Sequence, residues 1–147
     1  MTDLRNGLNQ LLANLNVMYT KLHNYHWFVT GEHFFELHKA SEELYGEVAT
    51  YIDEVAEKML ACKMVPAATM KEYLQLASIE EAKNGLSAGE MVQSVSNDLT
   101  KLIDDLKIGI ELADQEKHIC ISNLLQDILC DFEMELWKLS AYSQKSI

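Results

Sequence analysis

The stretch LHNYHWFVTGEHFFELH, residues 22–38, holds four of the chain's five histidines. Imidazole nitrogens bind first-row transition metals near neutral pH, so this density raises the question of a metal site. Acids of ligand type follow at Glu42, Asp53 and Glu57. Two imidazoles, His26 and His38, together with these carboxylates suit Fe(II), and less selectively Zn(II) or Mn(II). Carboxylates also tolerate Fe(III), so oxidation in place is reasonable chemistry. His23 stands one turn before His26 and reads as a surface or interface residue. His33 reads as capping or flanking the next element.

Long helices must position these residues. From Leu4 to Val29 apolar residues recur at three and four, which predicts an amphipathic helix capped by Thr2 or Asp3. Thr30-Gly31-Glu32 breaks it. A second helix is expected from about His33 to Ala61. The connection 63–86 is too long for a tight hairpin and holds Pro66, Asn84-Gly85 and a short helix behind the capping box Thr69-Met-Lys-Glu72. Ser87-Ala-Gly-Glu90 opens a third long helix to about Leu112. The fourth follows a break at 113–116 and runs to about Tyr142 on an inner face of Leu124, Leu125, Ile128, Leu129, Phe132, Leu136 and Leu139. Trp137 reads as core, and the seven methionines read as packing. Four long helices with one long crossover predict an all-α, ferritin-like four-helix bundle in a single domain, 1–147.

On a helical wheel the second helix carries two stripes. Leu37, Leu44, Val48, Ile52, Val55 and Met59 form the core stripe. Glu42, Asp53 and Glu57 share a separate face with His38. The ligand-type residues therefore point away from their own bundle, whereas a di-iron bundle site uses inward Glu-x-x-His motifs, which this sequence lacks. His38 and Asp53 are also ~22 Å apart along one helix, too far to share an ion. The pairs 38/57 and 42/53 nevertheless have the same midpoint, between Glu47 and Val48. A two-fold copy of the helix, crossing antiparallel there, sets His38 opposite Glu57 and Glu42 opposite Asp53. Such an isologous contact makes two equivalent sites. Gly46 and Ala49, both small, lie between them and let the backbones approach. His26, just before the Gly31 turn, lies near His38 and joins the set.

Composition narrows the function classes. The 147 residues are 48% apolar and 24% charged, enough for one real core. A net charge of −11 with no basic cluster repels nucleic acid and favours cations. MTDLRNGLNQ lacks the apolar core of a signal peptide, and no run approaches the ~18 residues that span a bilayer. Cys62, Cys120 and Cys130, odd in number and widely spaced, read as free thiols of a cytoplasmic protein.

With these residues in place the chain resembles the Dps proteins, or miniferritins. The resemblance rests on His26-Trp27, Gly31, Phe34-Phe35, Leu37-His38, Tyr45 and Asp53-Glu54-Val55-Ala56-Glu57, and covers nearly the whole chain. It implies a hollow dodecamer with ferroxidase sites at its two-fold interfaces. Fe(II) is oxidised there by hydrogen peroxide in preference to dioxygen, ferric oxyhydroxide is stored inside, and the cell is protected from oxidative stress. It also implies that Trp27, beside the site, supplies an electron; plain interface packing is the other reading of that residue. Two features depart from the family pattern. The lysine-rich tail of many DNA-binding members is missing: Arg5 alone precedes the body of the first helix, and SAYSQKSI ends the chain with one lysine. In the expected iron-entry pore Asp114 fits, but Ile119 and Asn123 stand where further acids are common, with Glu116, His118 and Asp127 nearby. Two rival expectations stand beside the ferroxidase. One is a nucleoid DNA-binding protein of the same fold; the other is a structural shell whose sites hold zinc without redox chemistry.

Overall fold

The computed structural model describes residues 3–143. Thr2, one of the two expected caps, and the C-terminal Lys145 lie outside them. Helix α1 runs Leu4–Phe28, α2 Phe34–Ala61, the short α3 Met70–Leu76, α4 Ala88–Gln115 and α5 Ile119–Tyr142. The chain is all-helical within these bounds. No helix among the described residues is long and apolar enough to cross a membrane.

The starts follow local chemistry. Asp3 accepts from the Asn6 amide at 2.8 Å and caps α1. Thr69 accepts from the Glu72 amide at 3.2 Å and Ser87 from the Glu90 amide at 3.2 Å, so both expected capping residues work as caps. Two of the ends need a left-handed residue. Lys63 has φ 62° and Lys117 has φ 60°. In each case the next amide reaches back five residues, Met64 to the Met59 carbonyl and His118 to the Ala113 carbonyl, both at 2.8 Å. These are Schellman-type closures built on lysine instead of glycine. Because nothing in Ala113-Asp114-Gln115 breaks a helix, α4 continues past the expected Leu112, and the connection narrows to residues 116–118.

α1 packs on α2, α2 on α5, α5 on α4 and α4 on α1, closing a four-helix ring. The core fills with leucine, valine and methionine: Leu12, Leu15, Met18, Val48, Met59, Leu99, Leu102, Ile128 and Phe132 are all fully buried. Each such side chain contributes about 1.5–3 kcal/mol over leaving it in water. The predicted α2 stripe holds, with Leu44, Val48, Val55 and Met59 buried and Leu37 and Ile52 packed at its edge. Trp137 departs from expectation: it is 53% exposed. It sits about 140° round the wheel from Phe132, off the inward face of α5.

One polar stripe of α1 straps the crossover down. Asn9 accepts from the Ala67 amide at 2.7 Å. Asn14 accepts from the Ser78 and Ile79 amides at 2.8 and 3.1 Å. The Lys21 ammonium donates to the Glu80 carbonyl at 2.8 Å and pairs with the Asp98 carboxylate of α4 at 2.8 Å. Burial raises the Asp98 pKa above the usual carboxylate range, with Lys21 pulling the other way. These bonds tie α1, the helix that carries His23 and His26, to the crossover and to α4.

Candidate metal centre

His26 lies in the last turn of α1 and His38 in the second turn of α2. Gly31, at φ 110°, makes the turn between them, a conformation that L side chains rarely adopt. The two imidazoles stack at 3.6 Å between ring centroids and 13° between planes. Each holds the other's main chain. His26 Nδ1 donates to the His38 carbonyl at 2.6 Å, and His38 Nδ1 donates to the His26 carbonyl at 2.8 Å. A carbonyl only accepts, so both Nδ1 atoms carry the proton, and in the neutral rings both Nε2 atoms carry a lone pair. Fixing the tautomer through a backbone carbonyl is how metal-binding histidines are commonly oriented.

Neighbours lock these rings. Phe34 stacks on His38 at 4.9 Å, and Tyr45 stands edge-on to His26 at 5.4 Å. Ser41 donates to the Leu37 carbonyl at 2.7 Å, lies 3.1 Å from the His38 carbonyl within α2, and reaches across the junction to within 3.5 Å of His26 Nδ1. His26 is buried and His38 half-buried, whereas Trp27 is 66% exposed.

The acids behave differently. Glu42, Asp53 and Glu57 are all exposed along α2. Asp53 and Glu57 are one turn apart, and a hydrogen bond between their side chains, then the Asp53 charge, raises the Glu57 pKa. Glu42 adds its charge to burial in raising the Tyr45 phenol. Among the described residues of one chain, no three His, Cys, Asp or Glu side chains gather closely enough to hold one ion. The histidine pair is therefore brought together within the chain, and neither Glu42, expected to join it from the same chain, nor Asp53 and Glu57 are gathered to it.

Sequence reasoning missed two features. His23, read as a surface or interface residue, is half-buried and part of an aromatic cluster: it stacks on Tyr45 at 3.8 Å and touches Tyr19 and Trp27. The i, i+4 row Tyr19–His23–Trp27 was a signal on α1, but the partner came from α2. Ser41 carried no signal of its role. His33 flanks α2 as expected and contacts Glu36 at 3.3 Å. Of the pore candidates, Asp114, Glu116, Ile119 and Asn123 are exposed, with Ile119 at 70%. Asn123 and Asp127 line an open cleft of about 620 Å³ with Glu54, Glu57 and Cys120.

Comparison with known proteins places this arrangement. A family profile described as Ferritin-like domain matches residues 5–146. General stress protein 20U of Bacillus subtilis is 48% identical over 140 residues, covering 95% of this chain and 97% of the relative. DNA protection during starvation protein 2 of Bacillus anthracis is 45% identical over 135 residues, 92% of each chain. The X-ray structure of Dps from Listeria monocytogenes superposes with a TM-score of 0.96 at 34% identity, covering 99% of this chain and 96% of that one. A ring of four helices with a short helix in its crossover, matched over nearly its full length in sequence and in space, makes this chain a member of the ferritin-like family, in its Dps branch.

Proposed function

We propose that the protein is a ferroxidase and iron store whose sites form between two copies of the chain. The observation that carries this reading is the reciprocal Nδ1–carbonyl bonding of His26 and His38, which leaves two lone pairs free on adjacent rings. Fe(II), the substrate, binds to these two nitrogens, and Glu42, which stands apart from the pair in the single chain, turns in to join them. Asp53 and Glu57 of the partner subunit complete the site. Gly46 and Ala49 support the two-fold contact. Both are exposed at its midpoint, and a Cβ on Gly46 would meet nothing within 4 Å in its own chain. Small residues there have no packing reason within one subunit.

Each Fe(II) gives up one electron, and hydrogen peroxide takes two, so two Fe(II) and one peroxide yield two Fe(III) and two hydroxides. Peroxide is preferred over dioxygen. The carboxylates stabilise the ferric product, and the protein contributes by positioning metal and confining what forms. The Fe(III) then hydrolyses to an oxyhydroxide inside a hollow shell of twelve copies. Trp27, beside the histidine pair, supplies an electron when a second Fe(II) is missing. Zn(II) occupies the same ligands without redox chemistry. Consumption of iron and peroxide together protects the cell against oxidative stress, in a cytoplasm that keeps the three cysteines reduced.

The names of the relatives speak of DNA protection, and this chemistry provides it without DNA contact. A net charge of −11 disfavours a direct complex with a polyanion. The test is a titration of Fe(II) with peroxide, comparing the wild type with His26→Ala/His38→Ala. The expected outcome is loss of the protein-dependent rate. Equal rates above the protein-free background contradict the proposal.

A further inference from the structure

An unbroken path of rings crosses the α1–α2 seam beside the histidine pair. Trp27 lies 5.4 Å from His23 between centroids. His23 stacks on Tyr45 at 3.8 Å and 17°. Tyr45 then meets His26 edge-on at 5.4 Å, and His26 stacks on His38. Tyr19 touches both His23 at 4.5 Å and Tyr45 at 5.9 Å. His23 is not free to swing out of this path. Its Nδ1 donates to the Tyr19 carbonyl at 2.7 Å, which holds the ring plane against Tyr45. Exposed Trp27 is thus joined through a fixed imidazole to a half-buried phenol that itself touches a ring of the pair.

We infer that Tyr45 is a second electron donor at this site, wired to Trp27 through His23 and to the iron through His26. The inference rests on the ferroxidase reading above and adds a residue that the α2 sequence did not single out for redox work. Its use arises when peroxide meets a site holding one Fe(II). That iron supplies one electron, and the Tyr45 phenol supplies the other together with its proton. Fe(II), hydrogen peroxide and the phenol become Fe(III), a phenoxyl radical, one water and one hydroxide. Atoms and charge balance, and no hydroxyl radical leaves the site. If Trp27 is oxidised first, its neutral indolyl radical takes an electron and a proton from Tyr45, with the proton passing through solvent. The next Fe(II) to arrive, with one proton, returns the phenoxyl to tyrosine.

The chain has only two tryptophans, Trp27 and Trp137, so Trp137→Phe leaves Trp27 as the sole indole. Flash oxidation of this metal-free protein, followed by transient absorption, tests the wiring without any iron chemistry. The Trp27 radical is expected to decay as a tyrosyl signal rises, and adding Tyr45→Phe should abolish that rise and prolong the indolyl radical. The same tyrosyl species, read by electron paramagnetic resonance, is expected on mixing peroxide with less than one Fe(II) per site, and it should vanish in Tyr45→Phe. A tyrosyl signal that survives Tyr45→Phe overturns the inference. So does normal iron oxidation with no tyrosyl signal, which leaves the ferroxidase reading standing. Absence of iron oxidation would instead count against the ferroxidase reading, and the metal-free flash result would still decide the wiring.

Discussion

His26 and His38 are each other's orienting group: the ring of each is bonded to the main chain of the other, at 2.6 and 2.8 Å. The two helices and the two side chains are therefore set by one mutual contact. Removing one ring leaves the carbonyl that holds the other, but it takes away the stacked neighbour.

Single substitutions His26→Ala and His38→Ala are accordingly expected to slow Fe(II) oxidation by about 10–100-fold each, the range typical of losing a ligand or its support. The double variant should cost less than the product of the two, because the pair acts as a unit. Initial rates at fixed peroxide measure both quantities. Strictly multiplicative effects would show that the rings act independently.

Asp53 and Glu57 are both exposed on α2, and exposed side chains contribute little to a subunit's stability. Asp53→Ala/Glu57→Ala is expected to leave subunit folding stability within about 0.5 kcal/mol of wild type. Fe(II) binding should nevertheless fall sharply. Denaturant unfolding and anaerobic Fe(II) calorimetry on the same preparations separate the two effects.

The Lys21–Asp98 pair is the buried counterpart of these exposed acids. Lys21→Met leaves the Asp98 carboxylate buried without its cation, and the expected cost is about 3–5 kcal/mol. Adding Asp98→Leu should recover much of that loss, because a well-packed apolar pair avoids the desolvation penalty. Urea unfolding of the single and double variants provides the measurement.

Tyr51 links α2 to α5 by donating to the Asp131 carboxylate. Burial, this bond and the charge of Asp131 raise its phenol pKa well above the usual 10.0. In the unfolded chain the same phenol ionises at its ordinary value. Above pH 10.0 the folded state therefore holds a proton that the unfolded state has lost, and stability falls as pH rises. Tyr51→Phe should unfold more easily at neutral pH, yet lose less stability than wild type between neutral and strongly alkaline solution. A parallel loss in both proteins would exclude Tyr51 as the source.

What could be read from the sequence divides along physical lines. The α2 core stripe through Leu44, Val48, Val55 and Met59 was legible because helical periodicity reports burial directly. The separation of His38 from Asp53 was legible because rise per residue is fixed. The stacking of His26 on His38 was not, since it depends on how the Gly31 turn sets two helices side by side. The stacking of His23 was hidden for the same reason: its partner Tyr45 comes from another helix. The partners of Asn9, Asn14 and Lys21 were not legible either, since they are main-chain groups of the long crossover that lies over α1. Trp137 was assigned to the core from its apolar surroundings in sequence, although its position on the wheel of α5 faces outward.

The central claim is that one site draws on two chains, and mixing two inactive variants tests it most directly. One chain carries His26→Ala/His38→Ala and keeps its acids; the other carries Asp53→Ala/Glu57→Ala and keeps its histidines. Each alone should be inactive in peroxide-driven Fe(II) oxidation. In a mixed dimer one of the two sites receives intact histidines from one chain and intact acids from the other. Random co-assembly from equal amounts should therefore restore about a quarter of wild-type activity, as two-fold symmetry requires. No activity from verified mixed assemblies would contradict a shared site.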